Sequence, residues 1–430
     1  MLLHSINIKN FRQFEDLNIE FDPKLTVLIG KNGSGKSSIL DAAAIAIGLF
    51  PSYFPQIPGF PITKEDARIS VYKLGDNYDV QPFYPVEILA NGRIDDQNIS
   101  WYRVFNSSSG RHSMRQSTNI KIIVEKYQQR MRDGDVSLIL PLVAYYGTSR
   151  LWKQHKGKSN DLLGVNTRIN GYIDCLDGAA NDKLMKNWFA KMRQQELQRN
   201  EDIPAFRVVC GAMEQCLNIL SNTDVSKIDF NLDTLEIDVQ TTDNNGKKTI
   251  LPMNKLSDGY KCTVSLIADI AYRMALLNPQ LREKALIETD GVVLIDEIDL
   301  HLHPEWQKGI LNLLTTLFPK IQFIVSTHAP SVINSVRSEN LLILENDTAR
   351  LPIGEIFGKD TNTIVSGVMQ SVNRPDAVAE LFEKFYSALQ NSSLPEARIY
   401  IRELEAVLDE NDAELAACKA KLKIDEFLGA

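Results

Sequence analysis

One stretch of the chain organises the rest: residues 25–40 read LTVLIGKNGSGKSSIL. An apolar run, a motif of the form G-x-x-x-x-G-K-[ST] and a second apolar run follow one another, which predicts a buried strand, a glycine-rich loop and a helix. Glycines let the loop backbone curl so that its N–H groups point inward, and the helix adds the positive end of its dipole. This arrangement predicts a site for a polyphosphate. The predicted nucleotide-binding residues are Gly30, Lys31, Asn32, Gly33, Ser34, Gly35, Lys36, Ser37 and Ser38.

Two side chains of this motif have distinct predicted roles. Lys36 is placed to reach the β and γ phosphates of a nucleotide, while the Ser37 hydroxyl is placed to ligate Mg²⁺. The motif therefore predicts ATP and Mg²⁺ as the ligands. A chance glycine-rich turn is the alternative, and the apolar runs on either side of the motif argue against it.

Composition places the chain among ordinary soluble globular proteins. It has 430 residues, with 44% hydrophobic and 24% charged residues, which is enough for about two or three domains. The longest apolar run, from Ala42 to Phe50, is too short to cross a bilayer, and the first residues lack the apolar core of a signal peptide. We therefore expect a cytoplasmic protein with no membrane partner. The five cysteines form no C-x-x-C pair, so neither a disulfide framework nor a zinc site is predicted.

The net charge of −8 argues against a protein that coats nucleic acid. Much of this charge lies at the end of the chain, where 12 acidic and 6 basic residues follow from Asp376 onward. Basic residues are interleaved with aromatic ones between Tyr145 and Lys158, and they recur in the predicted helices 119–132 and 181–199. They could form a surface for a phosphate backbone, but a solvated helix face is the commoner explanation.

A second predicted buried strand ends in two carboxylates. Residues 291–297 read GVVLIDE, and such a strand delivers Asp296 to the edge of a sheet, where it can hold Mg²⁺. The next residue, Glu297, is placed to polarise water for attack on the γ-phosphate. An acidic strand end without a ligand is the alternative, which the glycine-rich loop disfavours. The predicted metal-binding residues are therefore Ser37 and Asp296, and Glu297 is a predicted catalytic residue.

Two further segments predict contacts to phosphate. Residues 255–261 read KLSDGYK before an apolar helical run, so Ser257 and Gly259 lie at a helix N-terminus, where a hydroxyl and a backbone N–H can bind an anion. An ordinary capped helix start is the alternative. His328 follows the strand-like run 321–326, at the carboxyl end of a predicted parallel strand, where α/β nucleotide sites lie. A lone histidine is more often structural, but this position favours a functional role, and His328 is the second predicted catalytic residue.

These motifs occur in the order typical of ABC-type ATPases, and the chain resembles the RecF, SMC and OLD-like branch of that group. The run LSDG around Ser257 resembles the ABC signature, and the runs LHPEWQ at 302–307 and STHAP at 326–330 resemble the RecF and OLD-like branch. The resemblance implies that Ser257 and Gly259 grip the γ-phosphate of a nucleotide held by a second subunit, and that His328 contacts this phosphate. It therefore implies a nucleotide-sandwich dimer or a larger homo-oligomer, and an ABC-type ATPase whose hydrolysis could be slow and regulatory.

The resemblance leaves four positions open. Arg12, between two predicted N-terminal strands, either matches a basic residue near the nucleotide phosphates or caps a hairpin. Gln81 matches either a glutamine that helps hold Mg²⁺ or an exposed loop amide. Asp258 stands where transporters have glycine and adds negative charge near the phosphate. His303 stands where the SMC-type interface loop has aspartate, so no role transfers to it.

The motifs divide the chain into four predicted segments. Residues 1–90 and 226–350 form the two parts of an ATPase core, residues 91–225 a mostly helical inserted lobe, and residues 351–430 a tail for interactions. Amphipathic spacing predicts helices in that tail. The predicted fold class is therefore α/β, an ABC-type ATPase core with an inserted helical lobe and a C-terminal helical tail.

The layout after Arg350, which lacks a recognisable Toprim domain, resembles the PtuA family, the ATPase components of Septu anti-phage systems. In that family a separate HNH nuclease docks on the ATPase, and this sequence shows no HNH cluster of its own. The resemblance implies a regulatory ATPase that controls a partner HNH nuclease, through which the complex could meet nucleic acid. Two alternatives remain open: a RecF-like DNA-repair ATPase that acts directly on DNA, and a nucleotide-held scaffold with negligible hydrolysis.

Overall fold

A computed structural model gives the fold of the chain. It describes residues 1–107, 117–148, 168–177, 182–221, 224–242, 247–361, 363–364, 375–391, 393–409 and 412–428. The run Asn244-Asn245-Gly246, whose sequence predicts a hairpin turn, and the basic run at 149–158 lie outside the described residues. The strands are β1 (Leu2–Phe11), β2 (Phe14–Glu20), β3 (Leu25–Gly30), β4 (Ile69–Leu74), β5 (Asn77–Pro82), β6 (Val86–Ile94), β7 (Gln97–Phe105), β8 (Leu142–Tyr146), β9 (Asp224–Asn231), β10 (Glu236–Thr242), β11 (Lys248–Pro252), β12 (Gly291–Ile295), β13 (Ile321–Ser326), β14 (Leu341–Glu345) and β15 (Thr348–Arg350).

Helices alternate with these strands along most of the chain, and the elements that follow the last strand are helices. Short 3-10 turns also occur, as at Lys64–Asp66 and Arg168–Tyr172. The α-helices are α1 (Lys36–Ile47), α2 (Leu49–Ser52), α3 (Thr118–Arg132), α4 (Asp182–Arg199), α5 (Pro204–Ser221), α6 (Asp258–Leu277), α7 (Ala285–Glu288), α8 (Pro304–Gln307), α9 (Ile310–Leu317), α10 (Pro330–Ile333), α11 (Asp376–Gln390), α12 (Leu394–Val407) and α13 (Ala413–Leu428).

Within the described residues, the central element is a six-stranded sheet with the order β15-β14-β3-β13-β12-β8. Its strands pair in parallel except β14 and β15, which pair antiparallel. Every residue of β8, β12 and β13 is buried, as expected for parallel strands that are covered on both faces. The carboxyl ends of parallel strands meet at one edge of the sheet. The residues that follow β3, β8, β12 and β13 therefore converge.

Helix α1 lies between the central sheet and an antiparallel sheet with the order β2-β1-β6-β7, because it contacts strands of both. Nearly all of its residues are buried, and its alanines allow close approach on every side. Trp101 of β7 donates a hydrogen bond from Nε1 to Ala46 O at 2.9 Å, which ties the antiparallel sheet to the helix. This packing fixes the helix that follows the glycine-rich loop.

A buried glutamine joins the same two sheets. Gln322 of β13 is fully buried, and its Oε1 accepts a hydrogen bond from Leu3 N at 2.8 Å. Its Nε2 donates to Leu3 O at 2.8 Å and to Asp22 O at 2.9 Å. Because its amide oxygen and nitrogen are both hydrogen-bonded, this polar side chain is tolerated in the core.

Helix α6 contacts β8 of the central sheet and packs against α4 and α5. A separate antiparallel sheet with the order β11-β10-β9 contacts α4 and α5 through β9. The α/β fold class predicted from the sequence is confirmed. Helices α3, α4 and α5 account for the helical content predicted between residues 91 and 225, and β8, from the same segment, joins the central sheet. None of the described helices is long and apolar enough to span a membrane.

The chain divides into two units, Met1–Lys359 and Asp360–Ala430. The second unit contains α11, α12 and α13, so the predicted C-terminal helices are confirmed. Amphipathic spacing predicts helices at 395–408 and 413–422, which α12 and α13 match, whereas α11 is additional. The three helices enclose a core of their own, made of Val378, Phe382, Phe385, Ala388, Ala397, Ile401, Leu404, Leu415, Cys418 and Leu422.

Candidate functional site

The glycine-rich loop connects β3 to α1 at the carboxyl edge of the central sheet. Gly35, which precedes α1, has φ of 92°, in the left-handed region that favours glycine. A Cβ atom at this position would lie 2.3 Å from Phe14 Cζ, so any side chain would also clash with the N-terminal hairpin. Gly33 has φ of 79° and faces open space. The sequence G-S-G therefore gives the loop a backbone path that other residues would strain.

Lys36 folds back over this loop. Its Nζ donates to the carbonyl oxygens of Gly30 at 2.9 Å and Lys31 at 3.1 Å, and the residue is only 6% exposed. Burial lowers the pKa of Lys36, while the negative charges of Asp296 and Glu297 oppose that change. The ammonium group is thus held on the rim of the loop, close to the predicted metal-binding carboxylate.

Two serine hydroxyls converge on Asp296. Ser37 of α1 donates from Oγ to Oδ2 of Asp296 at 2.7 Å, and Ser326 of β13 donates to Oδ1 at 2.5 Å. The Asp296 backbone N–H donates to Tyr146 O at 2.8 Å. The carboxylate is 4% exposed. The structure therefore brings the two predicted metal-binding residues into direct contact, at the meeting point of β3, β8, β12 and β13.

Ser326 is a candidate site residue that sequence reasoning missed. It is fully buried, and its Oγ also accepts a hydrogen bond from Glu297 N at 2.8 Å. Glu297 has φ of 48°, a conformation that is strained for a residue with a side chain. Strain of this kind clusters at functional sites, where the surrounding structure maintains it. Ser326 therefore bonds to both the carboxylate of Asp296 and the backbone of Glu297. In the sequence, the S-T-H-A-P run at 326–330 was the one feature that could have indicated this residue.

His328 lies just beyond the end of β13, next to a third carboxylate. Asp299 accepts hydrogen bonds at Oδ1 from the Thr327 hydroxyl and, at 3.3 Å, from His328 N. Burial, and then the positive charge of Lys36, lower the pKa of His328 below its usual 6.5, so the ring is neutral at pH 7. His328 is therefore within electrostatic reach of Lys36. Asp299 was not predicted as a site residue, although it lies in the segment that follows Glu297.

Arg12 contacts two carboxylates rather than the loop backbone. Its Nη1 donates to Asp41 at 2.6 Å, and its Nε and Nη2 lie 3.1 Å and 3.0 Å from Asp66 Oδ1. Arg12 N donates to Asp66 O at 2.7 Å. Since Asp41 lies four residues after Ser37 on α1, the guanidinium group is anchored one helical turn away from the serine predicted to bind the metal.

The predicted signature residues lie at the N-terminus of α6. Ser257 is the N-cap of this helix, is exposed, and makes no side-chain capping hydrogen bond. Gly259 packs against the loop after Glu297, because a Cβ there would lie 2.6 Å from His301 O. Beside it the rings of Tyr260 and Trp306 have centroids 4.3 Å apart. These residues form a surface with the 298–306 segment.

Gln81 and His303 make hydrogen bonds to residues two positions away in the chain. Gln81 lies on β5 of the exposed β4–β5 hairpin and donates to Asp79 Oδ2 at 2.8 Å. His303 is the N-cap of α8, and its Nδ1 accepts from Glu305 N at 3.4 Å.

Over the described ranges, no group of three or more histidine, cysteine, aspartate or glutamate residues forms a metal cluster. The cysteines at 175, 210, 216, 262 and 418 are all buried.

A parallel sheet that carries a glycine-rich loop, a buried lysine and paired carboxylates at one edge is typical of nucleotide-binding α/β proteins. The chain belongs to the AAA domain family, whose model matches residues 5–250. A second AAA domain model matches residues 170–334. Family membership supports nucleotide binding by this chain.

Three curated relatives match along most of the chain. The Retron Vc95 probable ATPase of Vibrio cholerae serotype O1 biovar El Tor is 25% identical, over 90% of this chain and 83% of its own length. The Retron Ec83 probable ATPase of Escherichia coli is 27% identical, over 88% of this chain and 78% of its own. Septu protein PtuA of Bacillus mycoides (strain KBAB4) is 25% identical over 91% of this chain, which spans 48% of that relative. The predicted resemblance to PtuA is confirmed.

Solved structures similar to this chain include an SMC head and a RecF protein. An SMC head bound to the C-winged helix domain of ScpA has a TM-score of 0.47 and 16% identity, over 83% of this chain and 99% of its own. The recombination mediator protein RecF has a TM-score of 0.42 and 14% identity, over 82% of this chain and 98% of its own.

Proposed function

We propose that this chain is an ATP-binding and ATP-hydrolysing regulatory subunit of an anti-phage defence complex, and that it controls a partner HNH nuclease. The observation that carries the enzymatic part is the convergence of the Ser37 and Ser326 hydroxyls on Asp296, beside the buried ammonium of Lys36. Hydroxyl and carboxylate oxygens next to a backbone-lined loop are the groups that bind a metal–polyphosphate complex.

The fit to a polyphosphate rests on the loop itself. Among the described residues, the Ser34 hydroxyl is buried without a hydrogen-bond partner, which is costly unless a ligand completes it. In the part of the chain that the structure describes, Lys36 Nζ donates to carbonyl oxygens of the loop, which phosphate oxygens would replace as stronger acceptors. We assign nucleotide binding to residues 30–38 on this basis.

The donor set at Asp296 fits Mg²⁺, because Ser37 and Asp296 offer hard oxygen ligands and Mg²⁺ commonly keeps several waters as its remaining ligands. When bound, Mg²⁺ would neutralise charge on the β and γ phosphates. Glu297 is the proposed base that orients and polarises the attacking water. His328, neutral at pH 7, would donate a hydrogen bond to the γ-phosphate rather than add a positive charge.

The proposed active unit contains two copies of the chain. Ser257 is exposed and leaves its hydroxyl free of any capping bond, so it can meet the γ-phosphate held by the loop of a second copy. Gly259 supplies a backbone N–H at the same helix N-terminus. Arg12, which Asp41 anchors one helical turn from Ser37, is proposed to contribute positive charge near the nucleotide held by its own loop. This arrangement is the ABC-type sandwich of the RecF, SMC and OLD-like branch.

The biological role is inferred from the relatives. Two are named as ATPases of retrons and one is a Septu protein, which supports a defence complex with a second component. We propose that nucleic acid is contacted mainly by the nuclease partner, and that the complex is cytoplasmic. The net charge of −8 is consistent with an ATPase that does not coat DNA on its own.

Three measurements test this function. Phosphate release from Mg-ATP should be abolished in Glu297→Gln while ATP binding persists, and turnover that survives this substitution would refute the role of Glu297. Co-expression with an HNH nuclease encoded by an adjacent gene should give a stable complex. Tight, salt-dependent binding of the isolated chain to duplex DNA without such a complex would favour the DNA-repair alternative instead. Tight ATP binding without any wild-type turnover would favour the scaffold.

A further inference from the structure

The turn that follows β12 reaches across to the loop that carries His328. Asp299, in this turn, accepts hydrogen bonds at Oδ1 from the Thr327 hydroxyl and, at 3.3 Å, from His328 N. The hydroxyl oxygen of Thr327 also accepts a hydrogen bond from Ala329 N at 3.0 Å. One carboxylate therefore organises three consecutive residues of the loop that follows β13.

Backbone hydrogen bonds hold Asp299 itself in place. Ile298 N donates to Ser326 O at 2.9 Å, which ties the turn to the last residue of β13. Leu302 N donates to Asp299 O at 3.0 Å, which closes the turn on its other side. The carboxylate therefore has a defined position from which it can direct the loop.

The loop is anchored on both flanks before it reaches His328. Thr327 is 1% exposed, and its backbone N–H donates to Leu28 O of β3 at 3.2 Å, while its hydroxyl donates to Asp299 on the β12 side. His328 is half-buried, and among the described residues its hydrogen bond is the one from its backbone N–H to Asp299. The backbone of His328 is thus fixed by the carboxylate, while its imidazole ring is left for a ligand.

The charge of Asp299 reaches the side chains on both sides of the predicted phosphate position. Burial lowers the pKa of His328 and the pKa of Lys36, and the negative charge of Asp299 opposes the change in both. A carboxylate would repel the γ-phosphate, because like charges at short range disfavour each other. Asp299 is therefore unsuited to bind phosphate, and its hydrogen bonds point to a role in placing His328.

We propose that Asp299 is a positioning residue for His328: its carboxylate holds the 327–329 loop so that the imidazole meets the γ-phosphate of a bound nucleotide. The proposal rests on the proposed function, because it assumes that His328 contacts this phosphate. Asp299 acts through the loop and does not touch the nucleotide. Its effect is therefore confined to ligands with a γ-phosphate, since ADP offers His328 nothing to contact.

The test compares two ligands that differ in the γ-phosphate, a non-hydrolysable ATP analogue and ADP, both with saturating Mg²⁺. The readout is the ratio of their dissociation constants, because general damage to the fold weakens both ligands alike. The variants are Asp299→Ala, His328→Ala and the double variant. Asp22→Ala is the matched control, because Asp22 is also half-buried and its Oδ1 accepts from Lys24 N at 2.7 Å and Leu25 N at 3.0 Å, at the start of β3.

We expect the preference for the ATP analogue over ADP to fall about 10- to 100-fold in His328→Ala, the range for a hydrogen bond to a charged group. In Asp299→Ala the preference should fall about tenfold, because the imidazole is present but no longer held in place. The double variant should show no loss beyond that of His328→Ala, since Asp299 acts through His328. Asp22→Ala should keep the wild-type ratio.

A wild-type ratio in Asp299→Ala would overturn the proposal. So would a double variant whose loss equals the product of the two single losses, because Asp299 would then act independently of His328. If Asp299→Ala does not fold, Thr327→Val removes the hydroxyl bonded to the same oxygen and is judged by the same criteria, with Thr327→Ser expected to keep the wild-type ratio. A wild type that binds neither ligand would refute the proposed function, and the role of Asp299 with it.

Discussion

The sharpest prediction concerns Ser326, whose hydroxyl joins the two carboxylate residues of the site. Ser326→Ala removes a 2.5 Å hydrogen bond to Asp296 Oδ1 and leaves the Glu297 N–H without the acceptor that it now has at 2.8 Å. A hydrogen bond to a charged group contributes about 1.5–3 kcal/mol, and 1.36 kcal/mol corresponds to a tenfold change in rate. If the bond orients Asp296 during turnover, kcat/KM for Mg-ATP should fall roughly 10- to 100-fold.

The control for this substitution is Ser117→Ala. Ser117 is 1% exposed, and its hydroxyl donates to Tyr102 O at 2.9 Å, so the variant loses one buried hydroxyl elsewhere in the fold. It should lose about 1 kcal/mol of stability without a change in turnover. Phosphate release under initial-rate conditions and thermal unfolding are measured on both proteins. Equal kcat/KM in the two variants would refute the reasoning that Ser326 acts through Asp296.

Three further predictions test other parts of the account. Lys36→Ala should weaken ATP binding at least tenfold in an equilibrium assay, because a buried ammonium that bonds phosphate contributes about 1.5–3 kcal/mol, and an unchanged dissociation constant would count against the site. Folding lowers the pKa of His328, so this histidine binds a proton at a higher pH in the unfolded chain than in the folded one. The free energy of unfolding, measured in urea, should therefore fall as the pH decreases from 6.5 toward the lowered pKa. His328→Gln should remove this pH dependence. Phe385→Ala should lower the free energy of unfolding of the C-terminal unit by about 3–5 kcal/mol and accelerate proteolysis within residues 376–428, while the affinity for ATP stays the same. Proteolysis at the wild-type rate would contradict a separate core in this unit.

Local pattern predicted the parts of the site that depend on short-range structure. As the motif predicts, a strand ends at Gly30 and a loop leads to the helix that contains Ser37. The apolar run before Asp296 is a buried parallel strand. These features follow from residue size and periodicity within about ten positions. They were therefore available from the sequence alone.

The pairings between distant residues could not be predicted in the same way. Ser326 meets Asp296 because β13 lies between β3 and β12, and Tyr146 meets Asp269 across 123 positions. Sheet order follows from the packing of the whole chain, not from local periodicity. Arg12 illustrates the same limit, since the hairpin turn was visible in the sequence but its carboxylate partners on α1 and in the 64–66 turn were not.

The central claim is that two copies of the chain share each Mg-ATP, with the loop of one facing Ser257 of the other. Mixing two inactive variants tests it most directly, one with Lys36→Ala and one with Ser257→Arg. In a mixed dimer, the loop of the Ser257→Arg copy faces the intact Ser257 of the Lys36→Ala copy, so one complete site forms. Random exchange between two-fold symmetric dimers should then restore about a quarter of wild-type phosphate release. A mixture no more active than either variant alone would contradict the shared site.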